Sequence, residues 1–169
     1  MRIQKVALWQ AVLAGLVVVV ALVWAIGVVF PRPVAGLMMA GLRGSAGLEE
    51  KTVETPFGPV HYLEGGKGPT VVLLHGIYAR KEHWIDFSRA LTGHYRVVMP
   101  DLPGFGSNAV LGEGAYSYDT QAARLMMLMD ALELDRFHLA GNSMGGQLGA
   151  LYATRHPNRI LSLAFIGSP

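Results

Sequence analysis

The chain of 169 residues contains no cysteine. This absence excludes disulfide bonds, thiolate metal sites and a cysteine nucleophile, and it leaves the redox compartment undetermined. Charge is also sparse, because only 15% of the residues are charged and 14 basic residues against 12 acidic ones leave a net charge of +2. The basic residues are scattered along the chain rather than clustered, so no nucleic-acid partner is indicated.

Hydrophobic residues make up 51% of the chain, and much of the excess lies at the N-terminus. From Val6 to Phe30 the only strongly polar residue is Gln10. As a helix this segment would reach roughly 37 Å at about 1.5 Å per residue, which exceeds a hydrocarbon core of about 30 Å. Trp9 and Trp24 lie toward its two ends, where indole rings favour the membrane interface. Residues 1–31 are therefore predicted to form a transmembrane anchor, with the lipid bilayer as a partner.

A cleaved signal peptide is the alternative for this segment, because Arg2 and Lys5 give it a basic start. The apolar run is longer than the roughly 7–15 residues usual in signal peptides, and no clear small-residue cleavage pattern follows it. We therefore favour an uncleaved anchor. Arg2, Lys5 and the amino terminus slightly outnumber Arg32 and Arg43 on the other side, which favours a domain outside the cytoplasm.

Residues 32–50 are mostly small, apolar and rich in glycine, with Met38, Met39 and Leu42 at helical spacing. Two interpretations stay open here, a linker and an interfacial helix lying on the bilayer.

Residues 51–169 alternate between short apolar runs and helical patterns, which predicts one α/β domain with a mostly parallel sheet. The run 51–64 is predicted to be an antiparallel hairpin at the sheet edge. Further strands are predicted at 70–74, 95–99, 137–140 and 160–166, and helices at 82–91, 117–132 and 143–155. The last strand is expected to be buried as well, and to present an unpaired apolar edge that favours aggregation. In the first helix we expect Trp84, Phe87, Ala90 and Leu91 to face inward.

A nucleophile motif links the third of these buried strands to its helix. Gly141-Asn142-Ser143-Met144-Gly145 matches G-x-S-x-G, and the order strand, tight turn, helix is the context that this motif requires. Such a turn presents the Ser143 hydroxyl to a base but strains its backbone. Gly141 and Gly145 are expected where side chains would come too close. The helix N-terminus directs N–H groups toward developing negative charge.

The turn His75-Gly76-Ile77 follows the strand at 70–74 and is predicted to lie at the same sheet edge as Ser143. The backbone N–H groups of Ile77 and Met144 are the candidate donors of an oxyanion hole. We interpret His75 as structural rather than as the catalytic base, since it lies within the oxyanion turn. Asp101, after the strand at 95–99, is interpreted as an anchor of its own turn.

These motifs, His75-Gly76, Asp101-Leu102-Pro103-Gly104-Phe105-Gly106 and Gly141-Asn142-Ser143-Met144-Gly145-Gly146, resemble the α/β-hydrolase superfamily from about Val53 onward. Within it, the elbow, the turn segment LLHGIYARKEHW and the N-terminal anchor look most like membrane-anchored monoacylglycerol lipases, and they are also similar to bacterial lipases. The resemblance implies hydrolysis of a carboxylic ester, with acylglycerols as first substrates, through an acyl-enzyme on Ser143. It implies no cofactor and no metal.

The chain also departs from the pattern of this family. The family places an acid and then a catalytic histidine after the nucleophile, often around a cap. Between Ser143 and Pro169 we identify neither this acid nor this histidine, and the cap and the last two or so strands are also missing; His156, in the turn after the helix, is interpreted as solvated or locally hydrogen-bonded. We therefore expect 51–169 to be the N-terminal portion of the domain and the 169 residues alone to be inactive. The same elbow occurs in carbon–carbon bond hydrolases, and a catalytically silent, membrane-tethered domain is a second alternative. Hydrolases acting on alkyl halides or epoxides would want a carboxylate where Ser143 stands.

Overall fold

The chain divides into two units, Met1–Gly41 and Leu42–Pro169. A computed structural model describes residues 2–110, 112 and 114–168. The first unit contains helix α1 (Arg2–Val29). Helix α2 (Pro31–Ser45) begins in the first unit and ends in the second. Pro31 is suited to begin α2, because the N–H groups in the first turn of a helix have no partner within the helix and proline has no N–H. The segment for which a linker and an interfacial helix stayed open is thus helical as far as Ser45.

Helix α1 is long and apolar enough to cross a membrane. Its stretch Val12–Val29 has a mean hydropathy of 3.0 over 18 residues, and none of it is buried against other parts of the chain. A helix of this length spans about 27 Å at about 1.5 Å per residue.

The second unit is built on a six-stranded sheet. Its strands are β1 (Leu48–Thr55), β2 (Gly58–Gly65), β3 (Thr70–Leu74), β4 (Arg96–Pro100), β5 (Phe137–Asn142) and β6 (Ile160–Ile166). The order across the sheet is β1-β2-β4-β3-β5-β6. The hairpin β1–β2 is antiparallel and joins β4 antiparallel, whereas β4, β3, β5 and β6 run parallel. The predicted fold class, a mostly parallel sheet with an antiparallel hairpin at one edge, is confirmed.

Three helices follow strands of this sheet: α3 (Ile85–Ser88), α4 (Tyr118–Ala131) and α5 (Met144–Arg155). Ser117 caps α4 by accepting a hydrogen bond from the Thr120 N–H, as expected for a serine just before a helix. Leu125, Leu128 and Met129 of α4 are fully buried in the core beneath the sheet. The methionine therefore fills core space, in agreement with the sequence pattern.

Two sequence predictions about elements are wrong. The helix predicted at 82–91 is a 3₁₀ turn (Lys81–Trp84) followed by the four-residue α3. The tighter turn shifts the helical phase, so Ile85 and Ser88 face inward while Phe87 is 47% exposed and Ala90 is exposed.

Strand β6 is the second correction, because it was expected to be buried, although the unpaired apolar edge predicted for it is confirmed within the described part of the chain. It lies at the edge of the sheet, where Leu161 and Phe165 are 42% and 55% exposed. Among the described residues, β6 pairs only with β5. Apolar composition alone does not distinguish a central strand from an edge strand.

Helix α5 packs against the sheet through glycines. A Cβ at Gly145 would overlap the Leu74 carbonyl oxygen and lie 2.6 Å from the His75 carbonyl oxygen. A Cβ at Gly149, one turn later, would lie 3.4 Å from methyl groups of Leu139 and Leu163. The first position has no room for a side chain, because backbone atoms fill it, whereas the second meets only side chains.

We predict that Gly145→Ala destabilises the chain by about 3 kcal/mol or more, because backbone would have to move. The matched control Gly149→Ala should stay within about 1 kcal/mol of wild type, since alanine's higher helix propensity offsets the tight methyl contacts. Urea unfolding of the detergent-solubilised chain measures both. Equal midpoints for the two variants would contradict the packing described here.

Candidate active site

Ser143 lies at the junction of β5 and α5 in a strained backbone conformation. Its φ of +50° and ψ of −118° place it where side chains are rarely found. Its carbonyl accepts hydrogen bonds from the N–H groups of Gly146 and Gln147, while its hydroxyl does not cap the helix. The turn therefore starts α5 through the backbone and leaves the half-buried hydroxyl available.

Close backbone approach brings the turn after β3 against Ser143. A Cβ at Gly76 would lie 3.2 Å from the Ser143 Cβ and 2.9 Å from Asn142 Oδ1. Within the elbow, a Cβ at Gly141 would overlap the carbonyl group of Gly145. The sheet therefore brings the predicted oxyanion turn and the predicted nucleophile turn into contact, and glycine is the residue that allows it.

The N–H groups of Ile77 and Met144 donate no hydrogen bond to any other residue that the structure describes. The first follows Gly76 directly and the second follows Ser143. A backbone N–H without a protein partner needs water or a ligand. Both groups predicted from the sequence as donors are thus free to bind a ligand oxygen.

His75 is buried and has both ring nitrogens occupied. Its Nε2 lies 2.9 Å from the Leu102 N–H, which can only donate, so Nε2 is the acceptor. The proton therefore sits on Nδ1, which donates to the Gly76 carbonyl oxygen at 2.8 Å. Burial lowers the pKa of His75 below its ordinary value of 6.5, and the Gly76 hydrogen bond opposes this effect. A neutral ring with no free nitrogen agrees with the structural role expected from the sequence.

Asp101 anchors the turn after β4, as interpreted from the sequence. Its Oδ1 accepts from the Lys81 N–H at 2.7 Å, and its Oδ2 accepts from the Ser107 N–H and from Lys81 Nζ, both at 2.8 Å. Burial favours a higher pKa for Asp101, but the hydrogen bond from Lys81 and those from the backbone hold the pKa below its ordinary value. The role of Lys81 was not found from the sequence, since nothing in the local pattern marks it as buried.

A cavity of about 590 Å³ opens at Ser143. Its wall includes Ile77 and Tyr78 from the turn after β3, Phe105 from the turn after β4, and Tyr116 from the segment before α4. Tyr78 is 92% exposed and has a φ of +57°. None of the described residues that line the cavity is charged, and none is a histidine. The site is therefore an apolar, aromatic pocket around one serine hydroxyl.

Residues from α4 and α5 complete this wall and were missed from the sequence. Tyr118 and Gln121 come from α4, Gln147 comes from α5, and the Tyr118 hydroxyl donates a hydrogen bond to Gln147 Oε1. Neither helix carries a motif at these positions. Only the packing of the two helices brings them to the cavity.

The remaining histidines with a described side-chain contact are engaged away from the cavity. His61 pairs with Thr52 Oγ1 at 3.0 Å, and His138 pairs with Ser162 Oγ at 2.8 Å. The ring of His156 packs on Tyr152 with 4.8 Å between centroids, and the ring of His83 lies edge-on to Trp84 with 6.2 Å between centroids.

We predict an acid-sensitive stability that originates at His75. Because its folded pKa is lowered, the unfolded chain binds the proton more readily, so stability is full above about pH 6.5 and falls as pH drops below it. The slope is at most about 1.4 kcal/mol per pH unit. Urea unfolding at pH 7, 6 and 5 measures it. His75→Asn should be less stable at pH 7 and flatter with pH, whereas the exposed control His94→Asn should keep the wild-type slope; an unchanged slope in His75→Asn would contradict the assignment.

Comparison with solved structures finds close similarity over most of the chain. A crystal structure of a membrane phospholipase A, described as a bacterial virulence factor, is 41% identical with a TM-score of 0.81. The match covers 95% of this chain and 52% of that protein. The chain therefore spans about half the length of this relative.

Two curated relatives show how varied the matching proteins are. A fluoroacetate dehalogenase from a Burkholderia species is 35% identical over 124 residues, which are 71% of this chain and 41% of that protein. A 2-hydroxy-6-oxononadienedioate/2-hydroxy-6-oxononatrienedioate hydrolase from Escherichia coli (strain K12) is 37% identical over 114 residues, 64% of this chain and 39% of that protein. The chain spans about two fifths of the length of these curated relatives.

The family model of the alpha/beta hydrolase fold matches residues 69–169, which are more than half of the chain. This match includes the turn after β3, the anchored turn after β4 and the elbow at Ser143. The chain therefore belongs to the α/β-hydrolase fold family.

Proposed function

We propose that this protein is a serine hydrolase that cleaves carboxylic esters of lipids through an acyl-enzyme on Ser143. The observation that carries the proposal is the strained Ser143 at the head of α5, which lines a cavity whose described wall is uncharged. Strained backbone conformations of this kind persist only where the surrounding structure enforces them, and they cluster at active sites.

In this proposal Ser143 Oγ attacks the ester carbonyl, and the oxyanion forms beside the N–H groups of Ile77 and Met144. Both donors lack a partner among the described residues, and the N-terminus of α5 adds positive dipole. Gly141 and Gly145 allow the tight elbow. The base that takes the Ser143 proton and the acid that orients it are not among the described cavity-lining residues, and His75 is excluded because both its nitrogens are occupied.

The proposed substrate is an acyl ester such as an acylglycerol, because the cavity wall is apolar and aromatic without charge. We propose that residues 1–31 anchor the protein in the bilayer, where such substrates partition, and that 51–169 form the hydrolase portion. The length and hydropathy of α1 support the anchor, as does the similarity to a membrane phospholipase A. Arg2 and Lys5 at the start of α1, together with the amino terminus, slightly outnumber Arg32 and Arg43 after it, which favours a hydrolase domain outside the cytoplasm.

Carbon–carbon bond hydrolysis is the second candidate, since hydrolases of 2-hydroxy-6-oxononadienedioate are also similar to the chain. A dienedioate carries two carboxylates, and recognising them calls for a cation or several donors in the site. The described cavity wall offers no arginine or lysine. The wall does contain hydroxyl and amide side chains that can donate hydrogen bonds, so the comparisons and the cavity support both candidates and a substrate assay separates them.

We predict that Ser143→Ala in the longest available product of the gene abolishes labelling by a fluorophosphonate probe and lowers monoacylglycerol hydrolysis by about a thousandfold or more. The control Ser45→Ala, in α2, should behave as wild type. The probe reads the nucleophile directly and the substrate assay reads turnover.

The same preparation is assayed with a dienoate ring-fission product. Faster cleavage of that compound than of monoacylglycerol would replace the ester with the carbon–carbon substrate. A folded protein in which Ser143 takes no label would instead favour a catalytically silent domain tethered to the membrane.

A further inference from the structure

Six charged side chains form a continuous network of ion pairs. The network extends from the last turn of α2 to the two loops that line the cavity, residues 75–81 and 101–107, which we call the cavity loops. Three are cationic and three are anionic: Arg43, Arg80 and Lys81, with Glu50, Glu82 and Asp101. All six lie within the unit Leu42–Pro169. The catalytic proposal uses none of them, so the network needs another explanation.

Lys81 lies at the centre of this network and its side chain is fully buried. Its Nζ is 2.8 Å from Asp101 Oδ2, 3.0 Å from Glu50 Oε1 and 3.0 Å from Ser107 Oγ. Burial tends to lower the pKa of Lys81, but the hydrogen bonds that it donates to Asp101 and Glu50 raise the pKa above its ordinary value. Lys81 therefore stays cationic, and a buried cation holds its position only while its anionic partners hold theirs.

The ion pair of Lys81 and Asp101 joins the two loops that contribute to the cavity wall. One loop runs from His75 to Lys81 and carries Tyr78, and the other runs from Asp101 to Ser107 and carries Phe105. A Cβ at Gly106 would overlap the Asp101 carboxylate, which shows how closely the second loop wraps this anion. The position of this ion pair therefore sets the spacing between the two cavity walls.

Arg43 extends the network to α2. Its guanidinium group pairs with Glu50 and, at 2.7 Å, with Glu82 Oε1. The Glu82 side chain is only 4% exposed, so its charge needs close partners, and Lys81 Nζ is 3.5 Å from the same oxygen. Without Arg43, the three anions would face two cations. Glu50 and Glu82 would then compete for Lys81 with Asp101.

We propose that Arg43 is a positioning residue for the substrate cavity, which acts through Glu50 and Glu82 on Lys81 and hence on both cavity loops. Arg43 thereby connects the C-terminal end of α2 with the residues that position the cavity loops. The effect on catalysis rests on the proposed ester hydrolysis, whereas the effect on loop order does not.

The test compares Arg43→Gln, Arg43→Lys and the control Arg32→Gln, an exposed arginine of the same helix, in the whole chain. Amide hydrogen exchange of segments 76–81 and 101–107 is measured by mass spectrometry in detergent. In Arg43→Gln both segments should exchange about tenfold faster, because a partly buried, charge-assisted tie is lost. Segment 122–132 of α4, away from the network, should be unchanged. Arg43→Lys should restore part of the protection, and Arg32→Gln should match wild type.

A second readout uses the longest gene product with monoacylglycerol. Arg43→Gln should raise KM several-fold with a smaller change in kcat, since cavity walls position the substrate while Ser143 is untouched. Unchanged exchange in both loops, or equal acceleration in α4, would overturn the positioning role. Faster loop exchange in a protein without esterase activity would uphold this role and count against the proposed function instead.

Discussion

The site depends on close contact between backbone segments at the carboxyl ends of β3 and β5. At Gly145 the carbonyl oxygens of Leu74 and His75 leave no space for a side chain, and at Gly76 a Cβ would lie only 2.9 Å from Asn142 Oδ1 and 3.2 Å from the Ser143 Cβ. Because these segments approach so closely, the turn at Ser143 and the turn after β3 cannot shift independently. The strained φ of Ser143 is found at this contact, and the N–H groups of Ile77 and Met144, in these two turns, donate to no other residue that the structure describes.

Two polar ties then fix the cavity loops on this rigid base. One is the hydrogen bond from the Leu102 N–H to His75, and the other is the buried pair of Lys81 and Asp101. A buried ion pair adds little net stability compared with apolar packing, but it specifies one arrangement because no other satisfies both charges. Conformational definition of the cavity walls is therefore its main consequence.

The relatives include a phospholipase, a dehalogenase and a carbon–carbon bond hydrolase, so the shared fold does not decide the reaction. The features that separate such chemistries are the nucleophile and the charge of the pocket. Here the elbow presents a serine, and the described cavity wall is uncharged and aromatic. These two features, rather than overall similarity, support an ester with an apolar acyl group.

Local patterns in the sequence determined the elbow, the turn at His75, the cap at Ser117 and the alternation of strands and helices, because neighbouring residues set each of them. The amino-acid order also determined the apolar N-terminal helix. Tertiary structure decided what depends on residues far apart: the placement of β4 between β2 and β3, the exposure of β6, and the burial of Lys81 against Asp101, twenty positions away. Tertiary structure also decided which residues after Trp84 face the core, because a 3₁₀ turn changes the helical phase there. It likewise decided that Tyr118 and Gln121 of α4 line the cavity. A single sequence carries no local signal for such contacts, since their free energy arises only when distant segments pack together.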